Sequence, residues 1–91
     1  MTILVAQHGR FLGSRLKAKE IRDCVQSALE RGESVSLDFA GVESITDSFA
    51  DELVGAVSER HGGHLPEALR VFNAKPTVQD AITFALDHAA A

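Results

Sequence analysis

The stretch from Val35 to Leu53 restricts the fold more than any other part of this chain, because two periods and a turn follow one another within it. Over residues 34–39 the apolar Val35, Leu37 and Phe39 alternate with Ser36 and Asp38, the period-two pattern of a strand with one face packed. Gly41 marks a turn. From Thr46 to Ser48 a helix is expected to start, with Asp47 and Ser48 suited to capping and Asp51 and Glu52 opposing its positive end. Phe49, Ala50, Leu53, Val54 and Val57 form its apolar stripe, and His61, Gly62 and Gly63 end it.

The same alternation of elements recurs on both sides. Residues 2–7 are an apolar run rich in β-branched side chains, broken by His8 and Gly9, so a first strand is expected to end near Gln7. Ser14 is a candidate N-cap for a helix whose buried positions are Ala18, Ile21, Val25 and Ala28, with Leu29 beside them, and Arg31 and Gly32 supply the stop. Residues 68–73 read as a third strand with Leu69, Val71 and Phe72 as apolar members. Pro76 then opens a last helix with Val78, Ala81, Ile82, Ala85, Leu86 and Ala89 on one face, and the alanine tail is expected to fray.

The order β-α-β-α-β-α implies an α/β domain with a mainly parallel sheet covered by helices and joined by right-handed crossovers. Residues 1–91 are read as one small domain without linkers or repeats, since 91 residues build a single core. The loops 8–13, 40–47 and 73–75 all leave the carboxyl ends of strands and are expected to gather on one edge with three helix N-termini.

Composition limits the function classes. No apolar run reaches the roughly 20 residues of a membrane span, and the N-terminus lacks the basic and apolar regions of a signal peptide. Cys24 alone can form no internal disulfide and is expected as a half-buried thiol, so a cytoplasmic location is expected. Residues 1–31 hold six basic and three acidic side chains, residues 32–91 three basic and ten acidic. The basic set Arg10, Arg15, Lys17, Lys19 and Arg22 raises nucleic-acid binding, but the chain has no Trp or Tyr for base stacking and its larger part is acidic, which disfavours it.

The segments Gly9 to Arg15 with Ala18, Leu37 to Val42, and Ser48 to Leu53 resemble the bacterial STAS-like family of unknown function, related to the STAS domains of anti-sigma factor antagonists. The resemblance covers nearly the whole chain. It implies a non-catalytic signalling domain that binds a protein partner, a histidine-kinase-like ATPase or anti-sigma-type regulator, in a partner-switching system. In STAS domains a serine at the start of the corresponding helix is phosphorylated. Alignment of Asp47 and Ser48 with the Asp-Ser of that motif puts Phe49 at the phosphorylated serine and Ala50 at the glycine, so a phosphorylation site here would be Ser48, shifted by one residue. Ser48 as a plain N-cap is the competing reading.

The partner-binding residues expected from this reading are Arg10, Ser14, Arg15, Asp47, Ser48, Phe49, Asp51 and Glu52, with Phe49 either an exposed anchor or part of the core. Arg10 and Arg15 suit an acidic partner or a phosphate, against a structural reading in which the glycines shape the loop and Phe11 and Leu12 pack inward. The alternative function is a small-ligand or nucleotide sensor that binds an anion at the helix N-termini, although the loop lacks the Gly-Lys-Ser/Thr ending of a P-loop. No catalytic residue is assigned: Asp51 and Glu52 diverge by about 100° on a helix, and His8 with Ser48 has no orienting third group. No cofactor is expected. No metal is expected either, since His61 and His64 have no third ligand nearby. Homodimer formation is left open.

Overall fold

In the computed structural model, residues 1–89 are described; Ala90 and Ala91 of the tail expected to fray, and the side chain of Ala89, lie outside them. Three strands, β1 (Thr2–Leu4), β3 (Val35–Asp38) and β5 (Leu69–Phe72), form a parallel sheet in the order β1-β3-β5. Thr2 pairs with Ser36, and Ser36 with Arg70, which sets the register across all three. Two further strands, β2 (Phe11–Leu12) and β4 (Ser44–Ile45), are only two residues long and pair parallel as a separate ribbon beyond the sheet's carboxyl edge. Both lie within segments read from sequence as loops, because two residues are too few to show a period.

The first strand is shorter than expected. Pairing stops at Leu4, and Val5–His8 form a 3-10 turn that buries Val5 completely. An apolar run does not distinguish a strand from a buried turn, and Val5 serves the core in either form. The helix α1 (Arg15–Glu30) keeps its expected cap: Ser14 Oγ accepts from the Lys17 N–H at 3.3 Å. It ends at Gly32, whose φ of +79° is left-handed, while the N–H groups of Gly32 and Glu33 donate to the carbonyls of Leu29 and Ala28. That bond pattern is the glycine-terminated helix stop.

The middle helix spans residues 47–60 and is not uniform. It begins as α2 (Asp47–Ala50), widens to a π-helical turn over Asp51–Gly55, and continues as α3 (Ala56–Arg60). A π turn holds an extra residue per bonded ring, and here three consecutive residues, Leu53, Val54 and Gly55, are all buried. This suits a helix that packs against α1 and, on another side, against the last helix α4 (Pro76–Ala89).

The core is the set read from periodicity. Ala18, Ile21, Val25, Ala28, Val35, Leu37, Phe39, Phe49, Leu53, Val54, Val57, Val78 and Ala85 are all buried. One face of the sheet, carrying Val35, Leu37 and Leu69, faces this core. The opposite face stays open, and β5's alternation puts Phe72 there with Leu4, both about half exposed. Of the three apolar members of this strand, Phe72 thus lies on the face opposite Leu69 and Val71, since adjacent strand residues point to opposite faces. No helix among the described residues is long and apolar enough to cross a membrane.

Candidate functional site

The three loops at the carboxyl edge of the sheet do come together, and backbone bonds fix them. The N–H groups of Glu43 and Ser44 both donate to the Arg10 carbonyl, and the Thr46 N–H donates to the Leu12 carbonyl at 3.0 Å. Side chains then join the third loop. Glu43 accepts from Arg10 at 3.2 Å through Oε1 and from Lys75 Nζ at 2.6 Å through Oε2, so one carboxylate bridges two cations from different loops. At the end of β3, Asp38 Oδ1 accepts from the Ala40 N–H at 2.9 Å and from Asn73 Nδ2 at 3.0 Å. Asp38 therefore holds the turn after β3 through its side chain and ties that turn to a second loop. Glu43 and Lys75 were not singled out in the sequence; only the tertiary fold brings residues 32 positions apart into one ion pair.

These contacts lower two carboxyl pKa values. The Lys75 ammonium, followed by Arg10, holds Glu43 below the ordinary glutamate range. The Ala40 N–H, followed by the Asn73 amide, holds Asp38 below the ordinary aspartate range. A carboxyl with a lowered folded-state pKa stabilises the fold above its unfolded pKa, and that contribution is lost as pH falls through the folded value. Thermal stability is accordingly expected to decline with acidification below about pH 5, where unfolded carboxyls begin to protonate. The decline will be shallower in Glu43→Gln; melting curves across this range in both proteins check it, and equal slopes would exclude a Glu43 contribution.

The expected site residues divide into three groups. Arg10, Ser14, Arg15, Asp47 and Asp51 are exposed, and Ser48 and Glu52 are half-buried, all on or beside this edge. Asp51 and Glu52 do not act as a pair, because each meets a different arginine of α1: Arg15 lies 3.6 Å from Asp51 and Arg22 lies 3.3 Å from Glu52. Phe49 forms the third group by itself. It is 0% exposed within the core cluster, so it cannot touch a partner without unfolding the helix start. Its role as an exposed anchor is corrected.

The cap of the middle helix is also not where it was expected. Thr46 is the N-cap, its Oγ1 accepting from the Phe49 N–H at 3.1 Å, which leaves Ser48 as the second helical residue. Thr46 and Ser48 are both hydroxyl residues at the helix start, and only the backbone direction at Thr46, extended at φ −81° and ψ 161°, decides between them. Thr46→Ala is expected to destabilise the protein by about 1 kcal/mol, whereas Ser48→Ala lacks a cap to lose and stays within about 0.5 kcal/mol. Urea denaturation of both variants tests the assignment; equal losses would contradict it.

Two further expectations, for Phe11 with Leu12 and for Cys24, are settled by placement. Phe11 is turned outward although Leu12 is buried, because the two alternate along β2. Cys24 is exposed rather than half-buried. Among the described residues no three His, Cys, Asp or Glu side chains cluster at metal-binding distance, His61 and His64 included.

A family model described as STAS-like domain of unknown function (DUF4325) matches residues 17–79, more than two thirds of the chain. This chain belongs to that STAS-like family. No curated protein and no solved structure gives a significant match. The matched part of the STAS-like domain holds Asp38, Glu43, Thr46 and the middle helix, while Arg10, Ser14, Arg15 and the neighbouring Leu16 lie before it. The edge of this STAS-like domain thus combines residues inside the matched range with a basic segment outside it.

Electrostatically the edge is a poor anion cradle. Arg10 is bound to Glu43 and Arg15 to Asp51, and Asp47, Asp51 and Glu52 surround the start of the middle helix. With Asp51 and Glu52 offset by Arg15 and Arg22, the Asp47 carboxylate still outweighs the roughly half-unit positive charge of a helix N-terminus.

Proposed function

We propose that this STAS-like domain is a non-catalytic regulatory module that docks a protein partner through its loop edge. The observation that carries this reading is the outward placement of two large apolar side chains on the segment between Arg10 and Leu16. Phe11 is 73% and Leu16 is 74% exposed. A folded chain gains nothing from leaving Phe and Leu in water, and aromatic residues and arginine are enriched at protein interfaces. Arg10 and Arg15 border the same segment and would orient an acidic partner surface.

The partner class that the family resemblance suggests is a histidine-kinase-like ATPase or anti-sigma-type regulator in the cytoplasm, and the mechanism is competitive occupancy of that partner. Ser48 is the candidate phosphorylation site, because its hydroxyl is outside the helix cap and lines a surface concavity. A phosphate there would add about −1.5 to −2 charges next to Asp47 and Asp51, enough to change the affinity of any charged partner.

The test is a pull-down of the tagged protein from its own cells, wild type beside Ser48→Glu, with mass spectrometry of the retained proteins and of Ser48. A retained ATPase-type partner whose yield changes in Ser48→Glu supports a phosphate-controlled docking module. Equal yields with an unmodified Ser48 remove the control by phosphate, and the absence of any specific partner removes the docking reading.

A further inference from the structure

Between the start of the middle helix and α4 lies a concavity of about 270 Å3. One wall is aromatic: the rings of Phe84 and His88 stack with centroids 3.9 Å apart and planes 28° apart, and Phe84 is 48% exposed. The other wall carries Asp47, Ser48 and Asp51, with Arg15 at the rim. Arg15 lies 3.6 Å from Asp51 and offsets that carboxylate, whereas Asp47 has no ion-pair partner among the described residues. One negative charge is left over beside an exposed aromatic platform.

We propose that this concavity receives an arginine side chain carried by the protein partner. The inference deepens the docking reading and rests on it. A guanidinium is planar, lies flat on an aromatic face and offers several N–H donors along its edge, so it can cover Phe84 while it donates to Asp47. An anion of the same size would meet Asp47 and Asp51 with only one arginine between them. A neutral apolar side chain would leave the Asp47 carboxylate desolvated and unpaired, which is costly. His88 contributes a fixed ring. Its Nδ1 lies 2.8 Å from the Phe84 carbonyl, a bond in which the ring nitrogen donates because a carbonyl only accepts. The end of α4 adds negative carbonyl dipoles on the same side, which favour a cation. Asp47 and Phe84, the two groups that meet the guanidinium, stand on two helices that pack on each other.

The probe is N-acetyl-arginine methylamide, added to the 15N-labelled 91-residue protein and followed by the amide resonances of Ser48, Phe84 and His88. The citrulline counterpart has the same shape without the charge. A saturable response at roughly millimolar arginine compound is expected, as for one isolated side chain, with the citrulline compound roughly tenfold weaker. Asp47→Asn and Phe84→Leu are each expected to weaken arginine binding by about threefold to fivefold, the scale of one exposed ion pair or one cation-aromatic contact. Both positions are exposed, and the dispersion of the spectrum reports directly whether each variant is folded. Equal responses to the two compounds, or no response at these three amides, overturns the pocket while docking through Phe11 and Leu16 stands. A selective arginine response together with a pull-down that retains no partner overturns the docking reading, and with it the partner as the source of the cation.

Discussion

Phe49→Ala is expected to lower the stability of this protein by about 3–5 kcal/mol, the usual cost of truncating a fully buried phenylalanine. Phe49 is 0% exposed and belongs to the core cluster with Leu53, Val54, Val57, the strand residue Leu37 and Phe39 just after that strand. The loss has two parts: the apolar surface returned to water, and a cavity where the first turn of the middle helix meets α1 and α4. A domain of this size holds a total stability on the order of 5–15 kcal/mol, so the variant should melt more than roughly 12 °C lower or populate the unfolded state at room temperature. Circular dichroism during heating and in urea measures it. A change below about 1 kcal/mol would mean that the Phe49 ring is not in the core. Its place as an outward anchor would then return.

The second large effect concerns binding and leaves the fold intact. Phe11→Asp combined with Leu16→Asp is expected to cut retention of the docked partner by roughly 30-fold or more, the scale of losing anchor residues worth about 2 kcal/mol or above. Both side chains are about three quarters exposed, so the folded protein loses little packing and its melting temperature should stay within a few degrees of the wild type. Asp is chosen over Ala because it adds a charge that must be desolvated against the partner as well as removing apolar area. Quantitative pull-down or titration with the partner recovered from cells reads the loss. Unchanged retention in a folded double variant would move the interface away from the segment between Arg10 and Leu16. The pair of experiments separates two phenylalanines by their burial: Phe49 is expected to govern stability, and Phe11 is expected to govern the proposed docking.

Phosphate control is tested independently of both. Ser48 is outside the cap and outside the core, so its substitution probes neither helix formation nor packing. Any change in partner retention for Ser48→Glu therefore reports on the charge placed at the mouth of the concavity next to Asp47 and Asp51.

Much of this architecture is legible in the sequence. The helix spacing of Ala18, Ile21, Val25 and Ala28, the alternation of Val35, Leu37 and Phe39, and the repeat of Val78, Ala81, Ile82 and Ala85 place the core correctly, because burial is what creates those periods. The Ser14 cap and the Gly32 stop are legible for the same local reason: each satisfies backbone groups within its own helix end. The convergence of three loops on one edge follows from parallel strands, whose carboxyl ends share that edge.

Other features are decided only by contacts between distant parts of the chain. Whether Thr46 or Ser48 caps the middle helix depends on where the chain enters from β4. The two-residue ribbon of β2 and β4 exists because Arg10 and Leu12 carbonyls meet N–H groups more than thirty residues away. The Glu43 bridge between Arg10 and Lys75, the ties from Asp51 and Glu52 to separate arginines, and the concavity beneath Phe84 and His88 all join different elements. A sequence determines periods and caps because those are satisfied within one turn or one strand. Which way Phe11, Phe49 and Phe72 finally point is set by what packs above each of them, and that neighbour is supplied by the tertiary fold.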